Sequence, residues 1–488
     1  HYPGAYAVDR TKGANAIRQD LPNLAEAGQM YGNIIYDKAP IMMRQLELIV
    51  GEEGLRSGLS EYLHTYAYGN ATWPGLISIL DKTTKTDLKT WSEVWVNTPG
   101  RPEFSVAAMD DVAELKQQDP WDLGRVWPQR FAIRPLGDDS SSPEMVDSTA
   151  ASVPWPLESG DDLSTVLFNA DGMGYGLFPA QIGHLARWEN LSGVEKGSLL
   201  IDLRENMLEG RNLEPGPYLR ALIKVVAVEE SQLLLGLALA QMLEIYNTLL
   251  TVQQQAAILP QLEATLWQAT NNATDGGSVR LFFETFSSIA SSPDRLDVLY
   301  KIWAGEKNLD ALSLSEEDLT RLAQILAIRL PDNSEKIIAT QMARIESPDS
   351  RRRLAFLVPS LSADEATRDA FFSSLADENN RQTESWVLDA LQNLHHPSRT
   401  AQSQKYLQRT LELLQEIQAT GDIFFPTSWL HVSFQNHGSP AAVALADDFL
   451  AARPAYNAQL RMKVQQALDL PRRAVVICSR SNSEVQPK

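Results

Sequence analysis

From Ser192 almost to the last residue, apolar positions recur at helical spacing, in segments of roughly 10 to 18 residues cut by Gly, Pro, Asn or Asp turns. No other feature restricts the fold so tightly, because a long run of short amphipathic helices buries its apolar stripes by stacking in pairs. Helices are expected at Ser198–Leu208, Tyr218–Val228, Ser231–Tyr246, Glu316–Leu330, Glu384–Leu394 and Gln402–Ala419. Their spacing follows no constant repeat, so the expectation for residues 184–488 is an α-helical superhelix of HEAT-like stacking rather than a named repeat family.

Two other regimes precede it. In residues 1–100, Met42, Met43, Leu46, Ile49 and Val50 predict a helix from Pro40 to Val50, with Gly51 where helices commonly stop. Leu55, Leu59, Tyr62 and Leu63 predict a second helix, and Thr72 caps a third whose Pro74 suits a first turn. Trp91 and Trp95, four apart, share one face of a fourth. Residues 101–183 shift to short β-branched and aromatic runs such as Phe131-Ala132-Ile133 and Thr165-Val166-Leu167-Phe168. A small β-domain is expected there. Asp171-Gly172 predicts a hairpin turn between Val166–Phe168 and Tyr175–Phe178, and Ser140-Ser141-Ser142-Pro143 an exposed loop. The residues alone therefore read as mainly α with a small β-domain.

Composition narrows the function. The 62 Asp and Glu against 43 Lys and Arg give a net charge of -19, which repels phosphate backbones and excludes nucleic acid as an expected partner. The apolar run Leu233–Leu243, broken by Gln241, is far shorter than the roughly 20 residues of a bilayer span. Cys478 stands alone, so neither an internal disulfide nor a cysteine zinc cluster is expected. The start at His1 suggests a processed protein or an excised fragment, and localisation, cytoplasmic or cell envelope, stays unassigned.

Catalytic signatures are sparse. None of the seven histidines begins an HExxH helix, and no GxSxG elbow, Walker loop or EF-hand loop occurs. His395-His396 reads as a surface loop pair, because adjacent imidazoles rarely converge on one ion and Pro397 favours an extended or turn conformation before it. His431 and His437 lie six apart, off the spacing that aligns ligands on one helix face, and read as structural. Gly172-Met173-Gly174-Tyr175-Gly176 reads as a turn, and Glu52-Glu53 as charge favouring a helix N-terminus.

Tyr36-Asp37-Lys38-Ala39-Pro40 with the following Arg44-bearing segment resembles the Tyr-x-Lys-Gly-Ala stretch of the aminopeptidase N-like zinc metallopeptidases. The resemblance continues in order through Gly51-Glu52-Glu53, Tyr68-Gly69-Asn70, Trp95, Pro99-Gly100-Arg101-Pro102, Asn169–Tyr175 and the segment around Leu199–Asp202. It implies the helical tail of a thermolysin-like catalytic domain, then a β-sandwich, then the superhelix. In that family a Tyr at this motif donates its hydroxyl to the oxyanion of the tetrahedral intermediate, and the role falls here on Tyr36. Ala39-Pro40 departs from the family's Gly-Ala, which puts the backbone register of Tyr36 in question. Lys38 and Arg44 match as support or surface residues.

The family's zinc-binding HExxH and later Glu precede its Tyr motif by many tens of residues, whereas 35 residues precede Tyr36. The resemblance therefore implies zinc in the complete enzyme and none bound by this chain. Its expected partners are a peptide substrate and the N-terminal part of the same protein, with the helical domain walling the peptide cavity and the chain inactive alone. The alternative is a non-catalytic, peptidase-derived scaffold that binds peptides or proteins through its superhelix.

Overall fold

A computed structural model describes residues 1–21, 23, 28, 30–109, 112–136, 142–156 and 165–484. The loop expected at Ser140-Ser141 lies outside the described residues. The chain forms two compact units, His1–Leu213 and Glu214–Lys488.

The first unit opens with α1 (Tyr2–Asp9), followed by a π-helical turn (Ile34–Lys38) that runs directly into α2 (Ala39–Val50). Helix α2 buries Ile41, Met42, Gln45, Leu46 and Val50 along one stripe and stops at Gly51, whose φ of 77° suits a residue without Cβ. Helices α3 (Glu52–Thr65), α4 (Trp73–Leu80) and α5 (Leu88–Ser92) complete the array, and α5 continues as a π turn over Glu93–Asn97. Thr72 caps α4 by accepting from the Gly75 amide at 3.4 Å. Trp91 and Trp95 are both fully buried, packed with Leu46, Leu76, Leu80 and Leu88.

Among the described residues two three-stranded antiparallel sheets follow. Strands β1 (Glu103–Met109), β2 (Val112–Gln118) and β5 (Ser152–Pro156) form one in the order β1-β2-β5; β3 (Gln129–Pro135), β4 (Glu144–Ser148) and β6 (Val166–Leu167) form the other in the order β4-β3-β6. Phe104, Leu115 and Trp155 from the first and Phe131, Ile133 and Val166 from the second share one apolar core. The expected hairpin at Asp171-Gly172 does not form. Strand β6 pairs with β3 instead, and Leu177 makes a parallel bridge to Glu103. The intervening loop is held from within: Asn169, at φ 52°, accepts the Gly174 amide on its Oδ1 at 2.7 Å. Six residues wound around an Asn side chain are too many for the two-residue turn that the Asp-Gly signal implied. Helix α6 (Gly193–Leu208) closes the unit, started by a reciprocal Ser192–Glu195 cap.

The second unit is helical over nearly all of its described residues, from Pro215–Val226 to Asp469–Glu484. Neighbours stack in succession, for example Gln232–Glu244 and Val252–Asn272 each on Gly276–Ile289, and Glu316–Arg329 on Ser334–Arg344. Arginines satisfy many helix ends. Arg344 donates to the Trp303 carbonyl at 2.9 Å, Arg399 to Ser360 and Leu361 at 2.9 and 3.0 Å, and Arg381 to Leu375. Each acceptor lies at the C-terminus of a helix, where carbonyls lack intrahelical partners. The segment expected as one helix over Gln402–Ala419 breaks into Leu407–Glu412 and Leu414–Thr420 behind a 3-10 turn, Gln404–Tyr406. Tyr406 on that turn stacks on Phe372 at 4.4 Å and donates to Asp369 at 2.6 Å.

His395 is not on the surface. It is completely buried at the end of helix Glu384–Leu394, one turn beyond buried Leu391, and so extends that helix's inner stripe. Its Nδ1 lies 2.8 Å from Nε2 of buried His437, 42 residues away. His396 does head a turn, accepting the Ser398 amide at 3.2 Å. Burial pushes the His437 imidazole down to about 4 and His395 well below its ordinary value, the neighbouring His437 adding to the latter. Both rings are therefore neutral in the fold, and the unfolded chain binds more protons between about pH 6.5 and 4. Stability from the pair is complete above the unfolded pKa and is lost as pH falls through it. Each histidine is expected to cost about 2 kcal/mol between pH 7 and 5. Hydrogen exchange of the 384–394 and 425–434 amides should accelerate over that range, and His437→Gln should reduce the pH slope; an unchanged slope would contradict the assignment.

Candidate active-site surface

Pro40 shapes the turn that carries Tyr36. In an α-helix its ring would collide with the carbonyl of residue 36, and it has no amide hydrogen to bond that carbonyl. Widening to a π turn relieves both problems, with the Ala39 amide bonding back to the Ile34 carbonyl. The substitution of Ala-Pro in the motif is thus absorbed without interrupting the helix: Ala39 keeps helical φ and ψ of -59° and -45°.

Tyr36 and Lys38 then point to opposite sides, since two residues span about 200° at 3.6 residues per turn, and nearly as much in a π turn. Tyr36 is 53% exposed, with its ring 5.9 Å from that of exposed Tyr31 and its hydroxyl without a hydrogen bond among the described residues. Beside it Asp37 meets the His1 Nδ1 at 2.7 Å, and Arg44 is exposed on α2. Lys38 is completely buried. Its ammonium sits 2.6 Å from Asp9 Oδ2 and donates to the Gly100 carbonyl at 2.9 Å, with the rings of Tyr175 and Trp95 at 5.4 and 5.9 Å.

Asp9 ties the remaining ends together. It accepts from the Gly100 amide at 3.1 Å and from the Tyr175 hydroxyl at 2.9 Å. Gly100, at φ 102°, adopts a conformation disfavoured for other residues, and this lets its amide and carbonyl serve Asp9 and Lys38 together. Burial lowers the Lys38 pKa, opposed by Asp9, and raises that of Tyr175 well above its ordinary value, so the phenol stays a neutral donor. The next residue, Arg101, reaches Glu205 of α6 at 2.7 Å and lies over the Tyr6 ring at 4.2 Å. Glu205 also receives Arg10 at 2.9 Å and Arg204 at 2.8 Å. Burial alone would raise this carboxyl, but the three guanidiniums override it and hold it well below the carboxylate range. Asp202, one turn before, is pushed well up by burial and by the charge of Glu205.

The Tyr36 turn and the Pro99-Gly100-Arg101-Pro102 segment are therefore two ends of one buried network. Sequence reading placed Lys38 and Arg44 together as support or surface residues; Lys38 is buried support and Arg44 is surface. Asp9 and Glu205 were missed, for the carboxylates lie 29 and 104 residues from Lys38 and Arg101 and carry no local signal. Among the described residues no three His, Cys, Asp or Glu side chains come together to hold a metal ion. They do not fit a zinc site.

A family model described as the peptidase family M1 domain matches residues 2–95, and that family is zinc-dependent. Aminopeptidase N of Streptomyces lividans is 33% identical over 108 residues, 21% of this chain and 13% of that protein. The tricorn protease-interacting factor F2 of Thermoplasma acidophilum is 24% identical over 214 residues, 43% of this chain and 26% of that protein. Aminopeptidase N of Lactococcus lactis subsp. lactis is 26% identical over 207 residues, 40% of this chain and 24% of that protein. The chain thus spans about a quarter or less of the length of these relatives. Residues 2–95, which include the Tyr36 turn and its Lys38 anchor, match the M1 peptidase domain, and the likeness to these proteins supports membership of the aminopeptidase N-like family.

Proposed function

We propose that this chain contributes Tyr36 to an aminopeptidase that removes N-terminal residues from peptides, the phenolic hydroxyl donating to the oxyanion of the tetrahedral intermediate. Zinc ligands and the general base come from residues outside this chain. The observation that carries this reading is the outward Tyr36 hydroxyl, without a hydrogen bond among the described residues, on a turn whose other side is locked by buried Lys38. A neutral phenol stabilises developing negative charge without titrating near neutral pH. A donor on an anchored turn also needs little reorganisation when the charge appears, which is what makes such a hydrogen bond effective.

On this reading the isolated chain is inactive, because an oxyanion donor without activated water lacks most of the catalytic apparatus. Assaying the purified chain on aminoacyl-anilides with added zinc should give no turnover above buffer. Turnover that co-purifies with the polypeptide and disappears in Tyr36→Phe would contradict this division of labour.

A further inference from the structure

A cavity of about 520 Å³ in the helical unit is lined by three arginines, Arg329, Arg368 and Arg399, with His396, Tyr246 and Gln402. Among the described residues none that lines it is Asp or Glu. Arg368 and Arg399 are buried, and none of the three arginines makes an ion pair among the described residues. Elsewhere in the same unit some arginines are met by carboxylates, Arg280 by Asp318 at 2.7 Å, Arg353 by Asp389 at 2.8 Å and Arg473 by Asp469 at 3.0 Å, while Arg344 and Arg461, like the three here, donate to backbone carbonyls. In a chain of net charge -19, three arginines that converge on one cavity without a direct ion pair among the described residues call for a cause, although the charges of Asp364 and Asp369 reach Arg368 and that of Glu263 reaches Arg329.

Helix capping accounts for part of it. Arg329 donates to the carbonyls of Ser287, Ser288 and Ala290, Arg368 to those of Ser362 and Ala363, and Arg399 to Ser360, Leu361 and Ser362. These carbonyls supply only the partial negative charge of helix ends, roughly half a charge each, against three full positive charges. Arg329 and Arg368 each make three protein hydrogen bonds, fewer than the five donors of a guanidinium. Glu263, whose charge reaches Arg329, accepts the Ser291 and Ser292 amides on Oε1 at 2.8 and 2.9 Å. His396 is a neutral donor here: its Nδ1 accepts from the Ser398 amide, which leaves the hydrogen on Nε2. Burial and the mutual repulsion of Arg368 lower Arg399 to about 10, and burial lowers Arg329 likewise.

From the convergence of three arginines without carboxylates on a cavity furnished with neutral donors, we infer that this cavity binds a small oxyanion of the phosphate class. Guanidinium forks match phosphate oxygens, and an anion seated there would complete the charge balance that the helix ends leave unfinished. The ion is either free phosphate or the head of a small phosphomonoester, since both present the same oxygens.

Thermal unfolding and titration calorimetry of the full chain test it, using inorganic phosphate and glycerol 3-phosphate at low millimolar concentration against chloride of equal ionic strength. At these concentrations the general stabilisation by excluded salts is small, and specific binding raises the Tm by mass action. Gln402 accepts from Arg368 at 2.8 Å and is exposed, so Gln402→Glu keeps the hydrogen bond and supplies an internal carboxylate. It should raise the Tm without phosphate and weaken phosphate binding by about tenfold or more. Arg368→Gln should weaken binding as well, and Gln402→Glu keeps the test valid if that variant fails to fold. Binding of both ligands assigns a phosphomonoester, and binding of phosphate alone assigns the free ion. Absence of binding to the wild type, or equal binding in Gln402→Glu, would overturn the proposal.

Discussion

Replacing Tyr36 by Phe in the complete enzyme is expected to lower kcat by about 100- to 1000-fold, with KM and Tm nearly unchanged. The asymmetry follows from where the hydroxyl sits. It has no hydrogen bond among the described residues and projects from a half-exposed ring, so its removal leaves no buried group unsatisfied. The Phe ring retains the contact with Tyr31. A donor used only when the carbonyl oxygen becomes negative contributes to the transition state and little to the bound substrate, and that places the loss in kcat. Steady-state kinetics of the two proteins, with Tm measured in parallel, check this. A loss confined to KM would instead mean that Tyr36 contacts the substrate in its ground state, and an unchanged rate would favour the scaffold reading.

The second large effect concerns stability. Lys38→Met should destabilise the first unit by about 3 to 5 kcal/mol, because it leaves the Asp9 carboxylate buried and facing an apolar side chain. The Tyr175 hydroxyl and Gly100 amide would remain as Asp9 partners, but neither carries charge. Adding Asp9→Asn removes the stranded charge, so the double variant should recover most of the loss even though the ion pair is gone. Denaturant titration followed by the fluorescence of buried Trp91 and Trp95 resolves the cycle. Equal, additive losses would show that the two residues do not act as a pair. If the folded double variant is also slow in catalysis while substrate affinity holds, Lys38 acts as a positioning residue for the Tyr36 turn.

Much of the architecture was legible in the sequence because it is written locally. The stripe Met42–Leu46–Val50 and the stop at Gly51 give α2, and Thr72 with Pro74 gives the start of α4. What escaped depends on contacts distant in sequence. The hairpin signal at Asp171-Gly172 lost to the Asn169 side chain, which winds the loop about itself. His395 looked like half of a surface pair because its real partner, His437, lies 42 residues away in the loop after helix Phe425–Phe434. The candidate site shows the same division. Tyr36 was singled out by its motif, whereas the reason it faces outward rests on Asp9, Tyr175 and Gly100, which no spacing rule connects to it. The π turn was equally hidden, although Pro40 four residues after Tyr36 was the signal available for it.

The central claim is that the Tyr36 hydroxyl is aimed at the negative charge that develops on the substrate's carbonyl oxygen. A crystal structure of the complete enzyme with a phosphinate dipeptide mimic of the tetrahedral intermediate tests this most directly. The expected result is Tyr36 Oη about 2.7 to 3.1 Å from the phosphinyl oxygen that stands for the oxyanion, with Lys38 still paired to Asp9. A mimic bound at the metal with the Tyr36 hydroxyl directed away from it into solvent would contradict the account.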